Sequence, residues 1–209
     1  FRRVLFRSRI GALVSQLATM GLAEDTLILF SSDNGPHREG GNDPRFFDAN
    51  GPFRGIKRDL FDGGIRVPMI ASWPGKIRPG TTQHVSSFAD VLPTVCELIG
   101  DEPPQDVTGL SFAPTLLGSG HQSRHDFLYW EFFEQKGKQA VRSGPWKAVR
   151  LRVHEDRSAP VQLFDLRSDP GEEDDVAADH PEVTAELTRL MDDAHVRSPQ
   201  RRFQFRWEQ

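Results

Sequence analysis

Residues 26–36 read Thr-Leu-Ile-Leu-Phe-Ser-Ser-Asp-Asn-Gly-Pro, and this stretch decides the fold. The run 26–30 predicts a short buried strand that is apolar on both faces, as strands of a parallel sheet are. Apolar residues at helical spacing come just before it, at Ile10, Leu13, Val14 and Leu17. Gly21 is a natural end for that helix. A helix, a tight turn and a buried strand make half of an α/β unit, so the sequence predicts an α/β fold.

Two further elements of this domain are visible in the sequence. A second buried strand is predicted at Ile65–Trp73, after the Gly- and Pro-rich stretch 36–64. A helix is predicted over 90–100, with Asp90 as its N-cap and Gly100 as its end. Its expected apolar face consists of Leu92, Val95, Cys96 and Ile99.

The C-terminal part of the sequence predicts a small antiparallel sheet followed by a helix. Four strand candidates follow one another, at Phe127–Phe132, Gln139–Arg142, Trp146–Val153 and Val161–Leu166. Pro181 suits the first position of a helix. An apolar stripe follows it, at Val183, Leu187, Leu190, Met191 and Ala194. The acidic stretch 169–193 is interpreted as a solvated turn and helix face.

These elements divide the chain into four parts. Residues 1–8 are basic, and their apolar spacing does not join the helix that follows. We interpret them as a junction segment, and the alternative is the frayed basic end of a helix. Residues 9–125 are predicted to be part of an α/β domain, 126–196 a small antiparallel-sheet subdomain with its helix, and 197–209 a tail with no clear element.

Composition excludes several classes of protein. The 209 residues carry 26 Lys and Arg against 30 Asp and Glu, a net charge of −4, so a basic nucleic-acid binder is not expected. No apolar run approaches the roughly 18 residues that a membrane span needs. The single cysteine excludes an internal disulfide, and Cys96 is expected to pack in the core.

Asp33 and Asn34 are candidate metal ligands. They come directly after the predicted strand, and ligands bind beyond the carboxyl ends of strands in open α/β sheets. A carboxylate beside an amide oxygen suits a hard cation such as Ca²⁺ or Mg²⁺. The alternative is a simple turn, because Asp-Asn-Gly is a common turn sequence. Since Ca²⁺ takes roughly 6–8 oxygens, the other ligands must come from elsewhere.

Lys57 is a candidate for binding an anion. It lies in the stretch 52–59, where Gly55 lets the backbone pass close to another group. A lysine there can hold an oxyanion as a point charge, and the alternative is an exposed basic loop. His37 and Arg38 follow the metal candidate and are possible substrate contacts, although a lone loop histidine is more often simply solvated.

Six stretches together resemble the formylglycine-dependent sulfatases. They begin with Leu27-Ile-Leu-Phe-Ser-Ser-Asp-Asn-Gly-Pro36 and continue, in the family's order, as 51–57, 62–68, 73–77, 90–94 and 163–172. The agreement covers roughly residues 9–195. The resemblance implies an alkaline-phosphatase-like sheet between helices, incomplete here, with a small C-terminal antiparallel sheet and helix.

The resemblance also implies hydrolysis of a sulfate ester. In that family a formylglycine hydrate attacks sulfur, while calcium and basic side chains neutralise the sulfate oxygens. By motif match, Asp33 and Asn34 would be calcium ligands, with Mg²⁺ as the alternative cation. Lys57 would contact the sulfate and the leaving oxygen. His37 and Arg38 are offered only as substrate-side candidates.

One departure from the family's pattern is large. The family's nucleophile lies in Cys-x-Pro-x-Arg or Ser-x-Pro-x-Arg, and neither Cys96, Ser143 nor Ser158 completes that motif. We therefore expect this chain to be the C-terminal part of a sulfatase, without catalysis of its own and with weak metal binding at best. The sulfate ester, the compartment and the oligomeric state are left open by the sequence.

Two other functions compete with this one. A phosphodiesterase or phosphonate hydrolase of the same superfamily usually uses several His and Asp ligands or Thr and Ser nucleophiles, and the seven histidines here are scattered. A non-catalytic module for acidic glycans gains support from the basic loop 38–58. The acidic C-terminal half argues against it.

Overall fold

The computed structural model describes residues 2–209, with side chains from residue 5 onward. The chain forms two compact units. The first consists of residues 1–31 and 68–124, and the second of residues 32–67 and 125–209. Phe1 lies outside the described residues, so the predicted junction segment can be followed only from its second residue.

The first unit begins with helix α1, Arg2–Thr19. The helix runs without interruption through residues 2–8 and stops before Gly21, which has a φ of +72°. The predicted end of the helix is therefore confirmed. Its predicted apolar face is not buried in this unit, because Leu13 and Val14 are both exposed.

Strands β1, Ile28–Ser31, and β2, Met69–Ser72, form an antiparallel pair in which Ile28 lies opposite Ser72. The prediction of buried parallel strands is therefore wrong. Strand β1 is half-buried throughout, and β2 is mostly exposed. Among the described residues each strand has one neighbour, so each keeps one unpaired edge and partly uncovered faces.

Helix α3, Val91–Ile99, ends at Gly100 with a φ of +76°, as predicted. Asp90 occupies the N-cap position, as predicted, but its side chain makes no capping hydrogen bond to α3. Asp90 belongs to a preceding 3₁₀ turn that is capped by Ser87, whose Oγ accepts a hydrogen bond from Ala89 N–H at 3.2 Å. The Asp90 carboxylate accepts from Ser87 N–H at 2.7 Å, which completes the capping box.

The buried side of α3 differs from the predicted apolar face. Its buried residues are Pro93, Thr94 and Cys96, whereas Leu92, Val95 and Ile99 are exposed. On the buried side the Thr94 hydroxyl donates to Asp90 O at 2.6 Å and accepts from Phe112 N–H at 2.9 Å. Phe112 is 2% exposed and precedes the short helix α4, Ala113–Leu117.

The second unit contains a four-stranded antiparallel sheet in the order β3–β4–β5–β6. The strands are β3, Leu128–Phe132; β4, Lys138–Ser143; β5, Trp146–Leu151; and β6, Val161–Asp165. Ala140 lies opposite Val149, which fixes the register of the two central strands. The predicted sheet and its direction are confirmed.

Both faces of this sheet are covered. One face packs Ala140, Val149 and Phe164 against Leu60 and Phe61. The other packs Val141, Ala148 and Leu163 under helix α5, Pro181–Ala194, through Leu187 and Met191. Alternate residues of each strand face opposite sides, so this two-sided core follows from the period of two. The predicted helix and its stripe are confirmed, and the one-turn helix α2, Asp62–Ile65, follows the Leu60–Phe61 pair.

The tail 197–209, for which no element was expected, is docked onto the second unit. Phe205 is fully buried and lies against Phe133, with ring centroids 4.8 Å apart. His195 lies between two carboxylates, 2.5 Å from Glu131 and 3.0 Å from Glu208. Burial lowers the pKa of His195, but hydrogen bonds and charge from those two carboxylates outweigh it, so the pKa is raised.

No helix among residues 2–209 combines the length and the apolar character that crossing a membrane requires.

Candidate functional site

The candidate site is built around the turn 62–64 of the second unit, where two positions leave no room for a side chain. A Cβ atom on Gly63 would lie 2.4 Å from the carbonyl oxygen of Arg54, and one on Gly64 would lie 2.2 Å from that of Asp59. Real Cβ atoms do not approach an oxygen so closely. The loop that carries Lys57 is therefore folded directly onto this turn.

The same turn also receives the segment that carries Asp33 and Asn34. Gly35 N–H donates to the Gly64 carbonyl at 2.8 Å, and Lys57 N–H donates to the Pro36 carbonyl at 2.8 Å. Segments that are some twenty residues apart in sequence are thus hydrogen-bonded to each other through their backbones. The structure brings together the two sequence regions that carry the predicted site.

The oxygen donors of this region are partly available. Asp33 is exposed, and among the described residues no hydrogen bond or ion pair holds its carboxylate. Asn34 is half-buried, and its Nδ2 donates to Gly35 O at 3.0 Å. Hydrogen bonding through Nδ2 leaves the amide oxygen Oδ1 to act as an acceptor or ligand. The pair suits a hard cation, but within the described part of the chain no three His, Cys, Asp or Glu residues cluster to hold a metal.

The Lys57 ammonium is engaged with a neighbouring carboxylate. Its Nζ lies 3.5 Å from Glu39 Oε2, and the side chain is 31% exposed. Arg58 Nη1 donates to the other oxygen of Glu39 at 2.5 Å. The Arg58 hydrogen bond, with the charges of Arg58 and Lys57, lowers the pKa of Glu39. Since the Lys57–Glu39 contact is a long hydrogen bond in a partly exposed position, an incoming anion can compete with Glu39 for the ammonium.

His37 and Arg38 lie beside this carboxylate in the chain. His37 Nδ1 accepts a hydrogen bond from Glu39 N–H at 3.0 Å, so one ring nitrogen is used to shape the local turn. The His37 side chain as a whole is 43% exposed, and Arg38 is exposed. Their proposed role as substrate contacts stays a prediction.

The sequence patterns did not indicate the buried ion pairs that support this region. Lys147 is fully buried, and its Nζ lies 2.6 Å from Asp62 Oδ1 and 2.8 Å from Glu172 Oε1. The first contact is a hydrogen bond, and the second is a close ion pair between two fully buried side chains. Glu172 Oε2 accepts from Asp62 N–H at 2.5 Å. Burial raises the pKa of Glu172, against the opposing effect of Lys147.

The interpretation of 169–193 as a solvated face is therefore wrong for Glu172, which is fully buried. A signal for the missed group was present in strand β5. Lys147 lies two residues from Val149 and therefore on the same core-facing side of the strand, where a charge without partners is too costly to bury. Because many acidic residues surround Glu172 in the sequence, nothing in the pattern identified it as the partner of Lys147.

Contacts of two further side chains hold the Lys57 loop against the rest of the second unit. Lys138 Nζ donates at 2.8 Å to both Asp59 Oδ1 and the Arg58 carbonyl. Arg54 Nη1 donates to the Glu172 carbonyl at 2.7 Å, and its guanidinium lies 3.9 Å from the centre of the Phe61 ring. The loop is thus tied to the second unit on both sides of Lys57.

With this geometry established, comparison with known proteins gives the family. A family model described as Sulfatase matches residues 8–101. Arylsulfatase A of Bos taurus is 35% identical over 206 aligned positions, which cover 87% of this chain and 39% of that relative. The chain belongs to the sulfatase family.

Solved structures agree with the sulfatase assignment. A Bacteroides thetaiotaomicron structure described with the metabolism of multiple glycosaminoglycans matches the sulfatase chain at 30% identity and a TM-score of 0.71, covering 88% of this chain and 42% of that one. The phosphonate monoester hydrolase of Agrobacterium radiobacter matches at 26% identity and a TM-score of 0.66, covering 90% and 39%. The predicted alkaline-phosphatase-like α/β class is confirmed. The sulfatase chain spans about two fifths of the length of these relatives.

Proposed function

We propose that this chain is part of an enzyme that hydrolyses sulfate esters, either aryl sulfates or sulfated glycans. The observation that carries the proposal is a pair of backbone hydrogen bonds, one joining the Asp33–Asn34 segment to the Lys57 loop and one joining it to the turn 62–64. That arrangement places hard oxygen donors and an ammonium on neighbouring segments, which is what binding a divalent cation together with an anion needs.

Asp33 and Asn34 would supply two oxygen ligands to Ca²⁺, with Mg²⁺ as the alternative. Their donor chemistry fits such a cation, and the exposed carboxylate is free to bind it. Two ligands make an incomplete set, so further donors are required from outside the described cluster. When bound, the cation would supply charge neutralisation for sulfate oxygens.

Lys57 would hold the sulfate group and the leaving oxygen. For this the ammonium must exchange Glu39, 3.5 Å away, for a sulfate oxygen, while Arg58 keeps Glu39 through its 2.5 Å hydrogen bond. Charge-assisted contacts that strengthen as the leaving oxygen gains charge are the kind that lower a barrier. His37 and Arg38 would contact the remainder of the substrate.

We further propose that the covalent step uses a formylglycine outside these 209 residues, since no Cys-x-Pro-x-Arg or Ser-x-Pro-x-Arg motif occurs in the sequence. The 209-residue chain alone should then release no sulfate from an aryl sulfate above the buffer rate. Sulfate release by the purified chain would contradict this division of the site.

The cation proposal is tested on the chain itself. Ca²⁺ titration followed by NMR should shift the amide signals of Asn34 and Gly35, and Asp33→Ala should abolish the shift. Asp48→Ala, an exposed carboxylate elsewhere in the same unit, is the matched control and should leave the titration unchanged. Equal titrations in both variants would contradict the assignment of Asp33.

The second candidate is hydrolysis of phosphate or phosphonate esters, favoured by the match to a phosphonate monoester hydrolase. Turnover of an aryl sulfate and the corresponding aryl phosphate should be compared in a protein that contains this chain and the nucleophile motif. Faster turnover of the phosphate ester would favour this candidate over sulfate.

A further inference from the structure

A buried charge cluster lies behind the candidate site and touches none of its predicted ligands. It consists of Lys147 on β5, Asp62 at the start of α2, and Glu172. The side chains of Lys147 and Glu172 are fully buried, and that of Asp62 is 4% exposed. Two carboxyl groups share one ammonium in this cluster, and Arg66 Nη1 approaches Asp62 Oδ2 at 3.5 Å. Such a cluster is costly to bury and must be held in good geometry to persist.

The cluster is connected to both halves of the candidate site through the turn that follows Asp62. On one side, Gly64 O accepts the hydrogen bond from Gly35 N–H, one residue beyond Asn34. On the other, Gly63 N–H donates to Arg54 O at 2.7 Å, in the loop that carries Lys57. A displacement of the turn would therefore move both segments.

Glu172 supplies a second connection to the same loop. Its carboxylate accepts Asp62 N–H, and its backbone carbonyl accepts Arg54 Nη1 at 2.7 Å. One residue thus holds the start of the turn and the base of the Lys57 loop. Because Lys147 is the cation that stabilises the charged form of Glu172, removing the lysine would disfavour the charged carboxylates at this junction.

We propose that Lys147, acting with Glu172, is a positioning residue that fixes the turn 62–64 and through it the spacing between Asp33–Asn34 and Lys57. The inference rests on the proposed function for the roles of those site residues. A directional ion pair is suited to this task because it fixes the turn at one distance, whereas an apolar side chain at position 147 would fill the same space without holding the turn.

The test is amide hydrogen exchange, measured by NMR on the 209-residue chain. In Lys147→Met, exchange at Gly35, Lys57 and Gly63 should accelerate about tenfold or more relative to Val149 in the same sheet. Leu163→Ala is the matched control, because it removes a fully buried side chain from the opposite face of the sheet. It should accelerate exchange at Val149 at least as much as at the three site amides.

Equal acceleration of exchange at all four amides in Lys147→Met would overturn the proposal, because Lys147 would then stabilise the whole unit rather than the turn. If that variant does not fold, Glu172→Gln decides the matter, since it keeps an acceptor for Asp62 N–H but removes a buried charge. Acceleration at Gly35 and Lys57 beyond that at Val149 supports positioning, and equal acceleration contradicts it.

The outcome is separable from that of the proposed function. Titration of the wild-type chain with inorganic sulfate should shift the Lys57 amide signal, and the shift should weaken in Lys147→Met. If sulfate leaves the wild-type signal unchanged, the anion-binding role of Lys57 fails, while the exchange comparison still decides whether Lys147 sets the geometry of the turn.

Discussion

Gly35→Ala should disconnect the Asp33–Asn34 segment from the turn beneath it. A Cβ atom at this position would lie 1.9 Å from the Gly63 carbonyl oxygen and 3.0 Å from Gly64 Cα. Since real Cβ contacts stay above 3.0 Å, the two backbones must separate by about 1 Å. That displacement would lengthen the 2.8 Å hydrogen bond from Gly35 N–H to Gly64 O beyond the hydrogen-bonding range.

The expected loss of stability follows from these two effects. Overpacking in a close backbone contact costs about 1–3 kcal/mol, and an unsatisfied buried hydrogen-bonding group costs about 1–3 kcal/mol. Because the displaced segment can relax toward solvent, we expect about 2–4 kcal/mol in total for unfolding of the second unit. Chemical denaturation followed by the amide signals of the β3–β6 sheet measures this unit separately.

Gly80→Ala provides the control, because nothing lies within 4 Å of its added Cβ and its φ is not in the left-handed region. It should change stability by less than about 0.5 kcal/mol. A Gly35→Ala variant as stable as wild type, with the Lys57 amide still protected from exchange, would refute the close approach of the two segments and the site built on it.

Three other expectations follow from the second unit. The pKa of His195 is raised on folding, so its contribution to tail docking should be full below the unfolded-state pKa of 6.5 and be lost as pH rises through the folded-state pKa. NMR signals of the tail, followed against pH, measure this, and His195→Ala should remove the pH dependence. Glu39→Gln should leave the denaturation midpoint unchanged but tighten sulfate binding at Lys57 about threefold in an NMR titration, since it removes a competing carboxylate. Leu187→Ala should cost about 2–5 kcal/mol in denaturation experiments, whereas Glu186→Ala on the exposed side of α5 should cost almost nothing; equal losses would refute the packing of that helix.

Local patterns predicted the sheet and the helix of the second unit well, because the signals for these elements come from residues close together in the sequence. The alternation of the β3–β6 strands and the stripe after Pro181 are short-range signals, and both faces of the resulting sheet are covered within the same unit. The convergence of the Asp33 and Lys57 regions, by contrast, came from resemblance to a family. The pattern of each region alone favoured a simple turn at Asp33–Asn34 and an exposed basic loop at Lys57.

The failures have a common physical origin. An apolar run such as 26–30 indicates a strand whose side chains pack in a core. The direction of that strand and the elements that pack against it depend on residues elsewhere in the chain. The same holds for α3, whose buried side includes Thr94, hydrogen-bonded to Phe112 N–H, while most of its apolar stripe is exposed. Lys147 and Glu172 lie far apart in sequence, so their mutual neutralisation leaves no local trace apart from a lysine on the core face of β5.

The two glycines of the 62–64 turn also limit how this protein can be redesigned. Carbonyl oxygens of Arg54, Gly55, Ile56 and Asp59 crowd the space a side chain would need at Gly63 or Gly64. A library that aims at new substrate preference should therefore leave this turn untouched. Sequence variation is better placed in the exposed segment 45–49, where Phe46 is 77% exposed, because exposed loops tolerate substitution.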